Sequence, residues 1–362
     1  MGRHVINSTG SITISTAHAG CDIYATGGQT TITFSSAIVD CDVRIINGDG
    51  GNGKILAGLS SDVNPKLYPN QAISVNSDGS IWFATEKPGR WRIPHGTIVF
   101  VNPNSSVGND ANDGLTLTTP LQHIGFAGKV CLIDFDACNV TAIIAPITGQ
   151  TYINDELFLN GQPTGSNLLQ ISPYGGGSFT WQCDGPCIGV GDNSELDIRI
   201  DQFGSSNGIV FAGNRLNATL TGHIYQHNNG LIDMEGSAIF SGSGSNDCAF
   251  FFDGPCPGAS IANGFQVEGS FDTIFRMDEG GGRYTIGGTV GPVAGTAPAA
   301  NRLFAILGCN ELIQSATLVN GGYSTLGPSV VGGNALFLNV TGAAVPGGIS
   351  ATQGGRIETT KW

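Results

Sequence analysis

Leu196-Asp-Ile-Arg-Ile200, followed by Ile209-Val-Phe211, begins a run of short alternating strands that decides the fold. One strand type recurs near Asn217 (Asn-Ala-Thr-Leu-Thr), Ser237 (Ser-Ala-Ile-Phe), Ser260 (Ser-Ile-Ala), Tyr284 (Tyr-Thr-Ile) and Ser315 (Ser-Ala-Thr-Leu), in steps of 21, 20, 23, 24 and 31 residues. The second recurs near Leu231, Ala249, Thr273 and Leu303, in steps of 22, 18, 24 and 30. Two series advancing together are what stacked turns of a solenoid require. Asp184-Gly-Pro-Cys187 returns unchanged as Asp253-Gly-Pro-Cys256, 69 residues later, which predicts one corner repeated three rungs of 23 apart. The wide steps near residue 300 predict a loop, Gly288 to Ala300, inserted in one rung.

Composition agrees with stacked strands. Of 362 residues, 56 are Gly and 16 Pro, and charged residues make up only 12 %, against about 25 % in an average domain. Gly and Asn suit corners that need positive φ. Hydrophobic residues at 40 % exceed what a disordered chain carries, and no run approaches the ~18 apolar residues of a membrane span. The fold class is all-β. Net charge is −13, and residues 1–96 balance seven basic against seven acidic groups, so the whole excess lies beyond them. An acidic body repels phosphate polymers, which excludes nucleic acid and anionic lipid as partners. Met1 to Thr9 lacks a basic start and an apolar stretch, so no classical secretion is expected. The Asn-x-Ser/Thr sites at Asn7, Asn139, Asn217 and Asn339 read as chance in an Asn-rich and Thr-rich chain.

The first region shows short strands at Ser11 to Ser15, Thr30 to Phe34, Asp42 to Ile46, Ala72 to Val75 and Ile81 to Phe83, which predict a small β-sandwich or jelly roll. Leu67 to Val75, then Asn76-Ser-Asp-Gly-Ser-Ile-Trp82, reads as a hairpin with an Asp-Gly turn and a core Trp. This segment also resembles small β modules of bacteriophage tail-fibre and virion surface proteins. Pro88-Gly-Arg-Trp-Arg-Ile-Pro-His-Gly96 reads as a neck, with Arg90, Trp91 and Arg92 either contacting another subunit or particle, or with Trp91 packed under a linker. The expected organisation is residues 1–87 as an N-terminal β module, 88–96 as a neck, and 97–362 as a body of roughly ten rungs with a short C-terminal tail.

Val99-Phe-Val-Asn102, Gly108-Asn-Asp-Ala-Asn-Asp-Gly-Leu-Thr116 and Thr119-Pro-Leu-Gln-His-Ile124 resemble the opening of pectin-lyase-like right-handed parallel β-helices, bacteriophage tailspikes among them. The resemblance implies a short helix capping the first turn. Gly125 and Gly128 interrupt that helix here, so a shorter or irregular cap is expected. Asp110 and Asp113 could offer oxygens to calcium, but the later Glu of a full calcium loop is missing. The reading adopted is that they cap backbone amides, and no metal or cofactor is expected.

Strand alternation points Leu196, Ile198 and Ile200 inward and Asp197, Arg199 and Asp201 outward. Asp233, Glu235, Asp253, Arg276 and Asp278 should extend that outer face over later rungs. Asp197, Arg199, Asp201 and Arg276 are the carbohydrate-binding candidates; Asp233, Glu235, Asp253 and Asp278 are the catalytic ones, since paired carboxylates perform glycoside hydrolysis. The alternative is a solvated face of Asp–Arg pairs. Polygalacturonase-like members carry four short motifs, of which only Gly222-His-Ile224 and Arg356-Ile-Glu358 have any counterpart here, so those activities are not supported. His223 and His227 read as surface or corner histidines. Nine cysteines leave local disulfides and buried thiols open, with some expected to pair within or between subunits.

The resemblance implies a bacteriophage virion surface protein, whether tailspike, tail fibre or head or collar fibre, that attaches to host-surface carbohydrate. It implies a homotrimer, assembled in the bacterial cytoplasm and exposed on the particle, whose N-terminal module docks on other virion proteins. The rival readings are a polysaccharide-depolymerising tailspike acting as glycoside hydrolase or lyase, a purely structural capsid decoration or collar protein, and a bacterial surface adhesin. The chain reads as a binding protein rather than an enzyme.

Overall fold

The computed structural model describes residues 4–28, 30–36, 39–49, 52–59, 66–85, 89–136, 140–160, 169–192, 194–200, 202–204, 207–213, 221–244, 247–254, 258–278, 281–294, 296, 299–307, 310–314, 317–318, 329–331, 334–338, 341–342, 350–352 and 356–359. Contacts divide the chain into two compact units, Met1–Cys138 and Asn139–Trp362.

In the first unit the chain winds between two sheets. Strands His4–Ser8, Cys21–Ala25 and Val39–Asn47 stack in parallel in one sheet. Ile12–Ile14, Thr30–Phe34 and Lys54–Ala57 stack in parallel in the other. Alternate apolar residues turn into the space between, where Ile14, Ile23, Ile32, Val43, Ile45 and Val75 form a common core. Antiparallel pairing enters where Ala72–Asp78 adds to Val39–Asn47, Trp82–Ala84 adds to it in turn, and Lys66–Leu67 adds to Lys54–Ala57. The result is a β-sandwich whose first half is a short parallel coil, in place of the antiparallel order of a jelly roll. The hairpin forms as its sequence predicts: Asp78 Oδ1 accepts from the Ser80 and Ile81 amides, Gly79 has φ 93°, and the core Trp82 donates through Nε1 to Ser35 O at 2.8 Å.

The neck and the Asp-rich loop fold within this unit. Trp91 stacks on Tyr68 at 5.3 Å and meets the edge of Phe135. Arg90 donates to the carbonyls of Leu132 and Phe135, so these two residues serve internal packing, and only Arg92 of the trio is exposed. Asp113 accepts from the amides of Gly53 and Leu115 and from the Thr119 hydroxyl, while Asp110 accepts from the amides of Gln122 and His123. Both are caps. The helix that follows is short and irregular, Ile124–Lys129 running into a π-helical turn at Val130–Asp134.

The second unit is a right-handed parallel β-helix with three strands per rung. The first rung runs Ala142–Pro146, Thr151–Ile153, Leu157–Asn160, and the next Leu169–Ile171, Ser178–Cys183, Ile188–Gly191. Then come Glu195–Arg199, Gly208–Gly213, Thr221–His227, and Leu231–Glu235, Ser237–Ser243, Asp247–Asp253. Among the described residues the winding continues through Gly258–Ile261 and the long Gly264–Asp278 strand to Arg356–Thr359. The strands heading each rung form the first sheet, and the second and third strands continue side by side along the other two faces.

Three strands per rung correct the predicted spacing. Along the first sheet Ile144, Ile171, Ile198, Met234, Ile261 and Ile286 stand in register, giving steps of 27, 27, 36, 27 and 25. The two series in the sequence mixed sheets: Leu231 belongs with Glu195, and Ser237 pairs with Gly208. All three sheets share one in-out alternation, so periodicity alone does not separate them. The repeated tetrapeptide likewise marks two different corners. Asp184 follows the second strand of its rung, whereas Asp253 ends the third strand of its own. Within the predicted loop, Thr289–Pro292 is a strand.

Inward ladders hold the stack together. Tyr152, Trp181, Phe211 and Phe240 align on the second sheet, and Leu157, Ile188, Ile224, Phe250, Phe275 and Phe304 on the third. Phe275 stacks on Phe250 at 5.2 Å and on Phe304 at 4.9 Å. A corner ladder follows the third sheet, where Asp192, Asn228 and Gly254 occupy equivalent positions with φ of 50°, 44° and 72°. Each adopts the left-handed conformation that Gly, Asn and Asp tolerate best. Among the described residues no helix is long and apolar enough to cross a membrane.

Candidate functional site

Outward-facing charges gather on two faces of the β-helix rather than on one stripe. On the first sheet, Asp197 stands opposite Asp233 and Arg199 opposite Glu235. Arg199 holds Asp197 at 2.7 Å and Asp233 at 3.6 Å, and pairs also with Glu235. Asp197 is only 5 % exposed. Burial raises its carboxyl above the usual range, against the pull of Arg199, while Asp233 and Glu235 push it further up. Glu195, at the start of the same strand, is raised by burial and then by Asp197 and Asp233. The hydrogen bond to Asp197 heads the causes that hold the Arg199 guanidinium more firmly protonated. One cation tying three carboxylates across two rungs is a clasp. Glycoside hydrolysis needs two carboxyls free to flank a bond, and these are committed to the guanidinium.

The third sheet carries a different arrangement. Its outer rows place Phe158, Gly189, Tyr225, Phe251 and Arg276 in register on successive rungs, beside Asn160, Gly191, His227, Asp253 and Asp278. Phe158 is 44 % exposed, and Tyr225, His227 and Phe251 are half-buried. The Phe158 ring lies across Gly189, and the His227 ring across Gly191, so closely that a Cβ at either glycine would overlap the ring. Tyr225 stacks with His227 at 5.2 Å and meets Phe251 at 5.4 Å. Its hydroxyl donates to Asp253 Oδ2 at 2.8 Å. Arg276 lies over the Phe251 ring at 5.4 Å and clasps Asp278 through both Nε and Nη2. The outcome is an aromatic track one ring wide, with hydrogen-bonding groups along one side.

Of the predicted residues, Asp197, Arg199, Asp233 and Glu235 come together on the first sheet, and Asp253, Arg276 and Asp278 on the third. Asp201 lies outside the described residues. Sequence reading missed Phe158, Tyr225 and Phe251, whose signal was available: each is an aromatic at an outward position of an alternating strand. His227 is at the surface as expected. His223 is not: it is fully buried, 3.5 Å from Asp247, because it points inward between the second and third sheets among Phe240 and Phe271. Cys21, Cys41, Cys131, Cys183, Cys187 and Cys248 are buried thiols, so none of these six forms a disulfide within the chain, and Cys187 Sγ donates to Trp181 O; Cys138, Cys256 and Cys309 lie outside the described residues. Among the described residues no group of three His, Cys, Asp or Glu is placed to hold a metal ion. No protein-family model, curated protein or solved structure matches this chain.

Proposed function

We propose that this protein is a bacteriophage virion surface protein, of the tailspike, tail-fibre or head or collar fibre kind, that attaches the particle to host-surface carbohydrate. The observation that carries the reading is the outer face of the third sheet. Aromatic rings with carboxylates and an imidazole at their margin match the two halves of a sugar, its apolar ring face and its hydroxyl edge. A β-helix holds these groups on backbone that is hydrogen-bonded on both sides, so recognition needs little ordering on binding.

In this reading the second unit projects from the particle, the first docks on other virion proteins, and three copies assemble as a homotrimer. The negative charge of the body turns away nucleic acid and suits a role on surface sugars. Binding without cleavage is expected, because Asp233 and Glu235 are tied to Arg199 on the first sheet, and on the third Asp278 is clasped by Arg276 and Asp253 accepts from the Tyr225 hydroxyl. The test has two parts. Labelled protein should bind host cells and lose that binding after periodate oxidation of the surface glycan, and antibody should decorate intact particles in electron micrographs. Binding that survives periodate, or particles without label, would overturn the reading. New reducing ends released from host glycan would replace it with the depolymerase.

A further inference from the structure

Building on the carbohydrate reading of the third sheet, we propose that its aromatic track binds an uncharged polysaccharide lengthwise, along the axis of the β-helix. Three observations set the orientation and the chemistry. The first is direction. Phe158, Gly189, Tyr225, Phe251 and Arg276 are register partners on five consecutive rungs, so the track follows the axis for four rung spacings, or about 19 Å. Each rung advances by about 4.8 Å, close to the length of one pyranose in an extended glycan. A linear polymer can therefore place successive rings over Phe158, Tyr225 and Phe251.

The second observation is relief. On the rung next to Phe158, where side chains would lift the track, the chain carries Gly189 and Gly191, and the Phe158 and His227 rings lie over them. The rings thus form a low, continuous surface rather than separated pegs, as a flat sugar face requires. The third is charge. Arg276, the cation of the track, is clasped by Asp278 and lies over Phe251, while Asp253 and, at the adjoining corner, Asp192 add negative charge. A glycan bearing carboxylates or phosphates meets repulsion here. A neutral one offers hydroxyl donors to Asp253 and apolar ring faces to the aromatics, and His227 can hydrogen-bond with either polarity.

Affinity electrophoresis of the full chain in native gels tests this. Separate gels contain dextran, mannan, galactomannan, mixed-linkage β-glucan and polygalacturonate. Retardation is expected in at least one neutral gel and not in polygalacturonate. Tyr225→Ala and Phe158→Ala should each weaken the apparent affinity at least tenfold, Phe158→Trp should retain it, and Glu235→Gln on the first sheet should leave it unchanged. Phe158 is exposed, so its truncation leaves the core intact and keeps the test valid if Tyr225→Ala misfolds. Retardation by polygalacturonate alone, by no gel, or undiminished in both alanine variants overturns the proposal. If cells bind the alanine variants as well as the parent chain, the track is wrong and attachment stands. If gels support the track but particles lack the protein, the virion reading alone fails.

Discussion

Replacing Phe275 by Ala would remove the middle ring of the third-sheet ladder. Phe275 is 1 % exposed and touches three other rings: Phe250 at 5.2 Å, Phe304 at 4.9 Å and Phe265 at 5.6 Å. A buried Phe→Ala change costs about 3–5 kcal/mol through lost transfer energy and the cavity left behind. Three ring pairs, each worth about 0.5–1.5 kcal/mol beyond area, place this site at the upper end, about 4–5 kcal/mol. Phe275→Leu keeps most of the volume and loses the ring geometry, so about 2 kcal/mol is expected. In a solenoid each rung contacts only its neighbours, so the damage should stay local. Hydrogen exchange read by mass spectrometry checks this. Protection in Asp247–Asp253, Gly264–Asp278 and Ala299–Leu307 should fall by about three orders of magnitude in Phe275→Ala. Thr151–Ile153 and Leu157–Asn160, several rungs away, should change by less than about tenfold. An equal loss at both places, or none near residue 275, would refute the stacked-rung reasoning.

Glu195→Gln should stabilise the protein at pH 7 by about 0.5–1 kcal/mol, because it removes a like charge beside Asp197 and Asp233. Since folding raises the Glu195 carboxyl, its contribution is favourable below its unfolded pKa and is lost as pH rises through the folded one. The gain should therefore fade as denaturation is repeated toward pH 4. Gly264 has φ 69°, and a Cβ there would strike the Thr289 backbone, so Gly264→Ala should cost about 2–3 kcal/mol or more. Gly244 has open space around it, and Gly244→Ala should stay within about 0.5 kcal/mol; thermal unfolding compares the two. Cys21, Cys41, Cys131, Cys183, Cys187 and Cys248 should resist a thiol reagent in the native protein and react without reductant once it is denatured, as peptide mapping would show.

How far the fold could be read from the sequence depended on the signal involved. Alternation in Leu196-Asp-Ile-Arg-Ile200 correctly sends Leu196, Ile198 and Ile200 inward, all at 0 % exposure. It cannot say which of three sheets a strand joins, because each sheet alternates alike; hence Leu231 and Ser237 were exchanged between series. The Asp78-Gly79 turn was legible because its chemistry is local. The parallel coil of the first unit was not, since Cys21–Ala25 and Lys54–Ala57 are short and their partners lie on neighbouring coils. Charged residues drew attention to Asp253, Arg276 and Asp278, yet the rings that join them into a site come from strands at Leu157–Asn160 and Thr221–His227 as well. Only register brings those together. His223 shows the opposite limit: it has the alternation phase of the outward Tyr225 and His227, yet it is fully buried beside Phe240 and Phe271.

The most direct test of the account is a crystal structure of the chain with a neutral oligosaccharide of the type that retards it in gels. Pyranose rings should lie along the β-helix axis over Tyr225 and Phe251, with a sugar hydroxyl within hydrogen-bonding distance of Asp253. Sugar bound instead against Arg199 and Glu235 on the first sheet, or on the first unit, would contradict it.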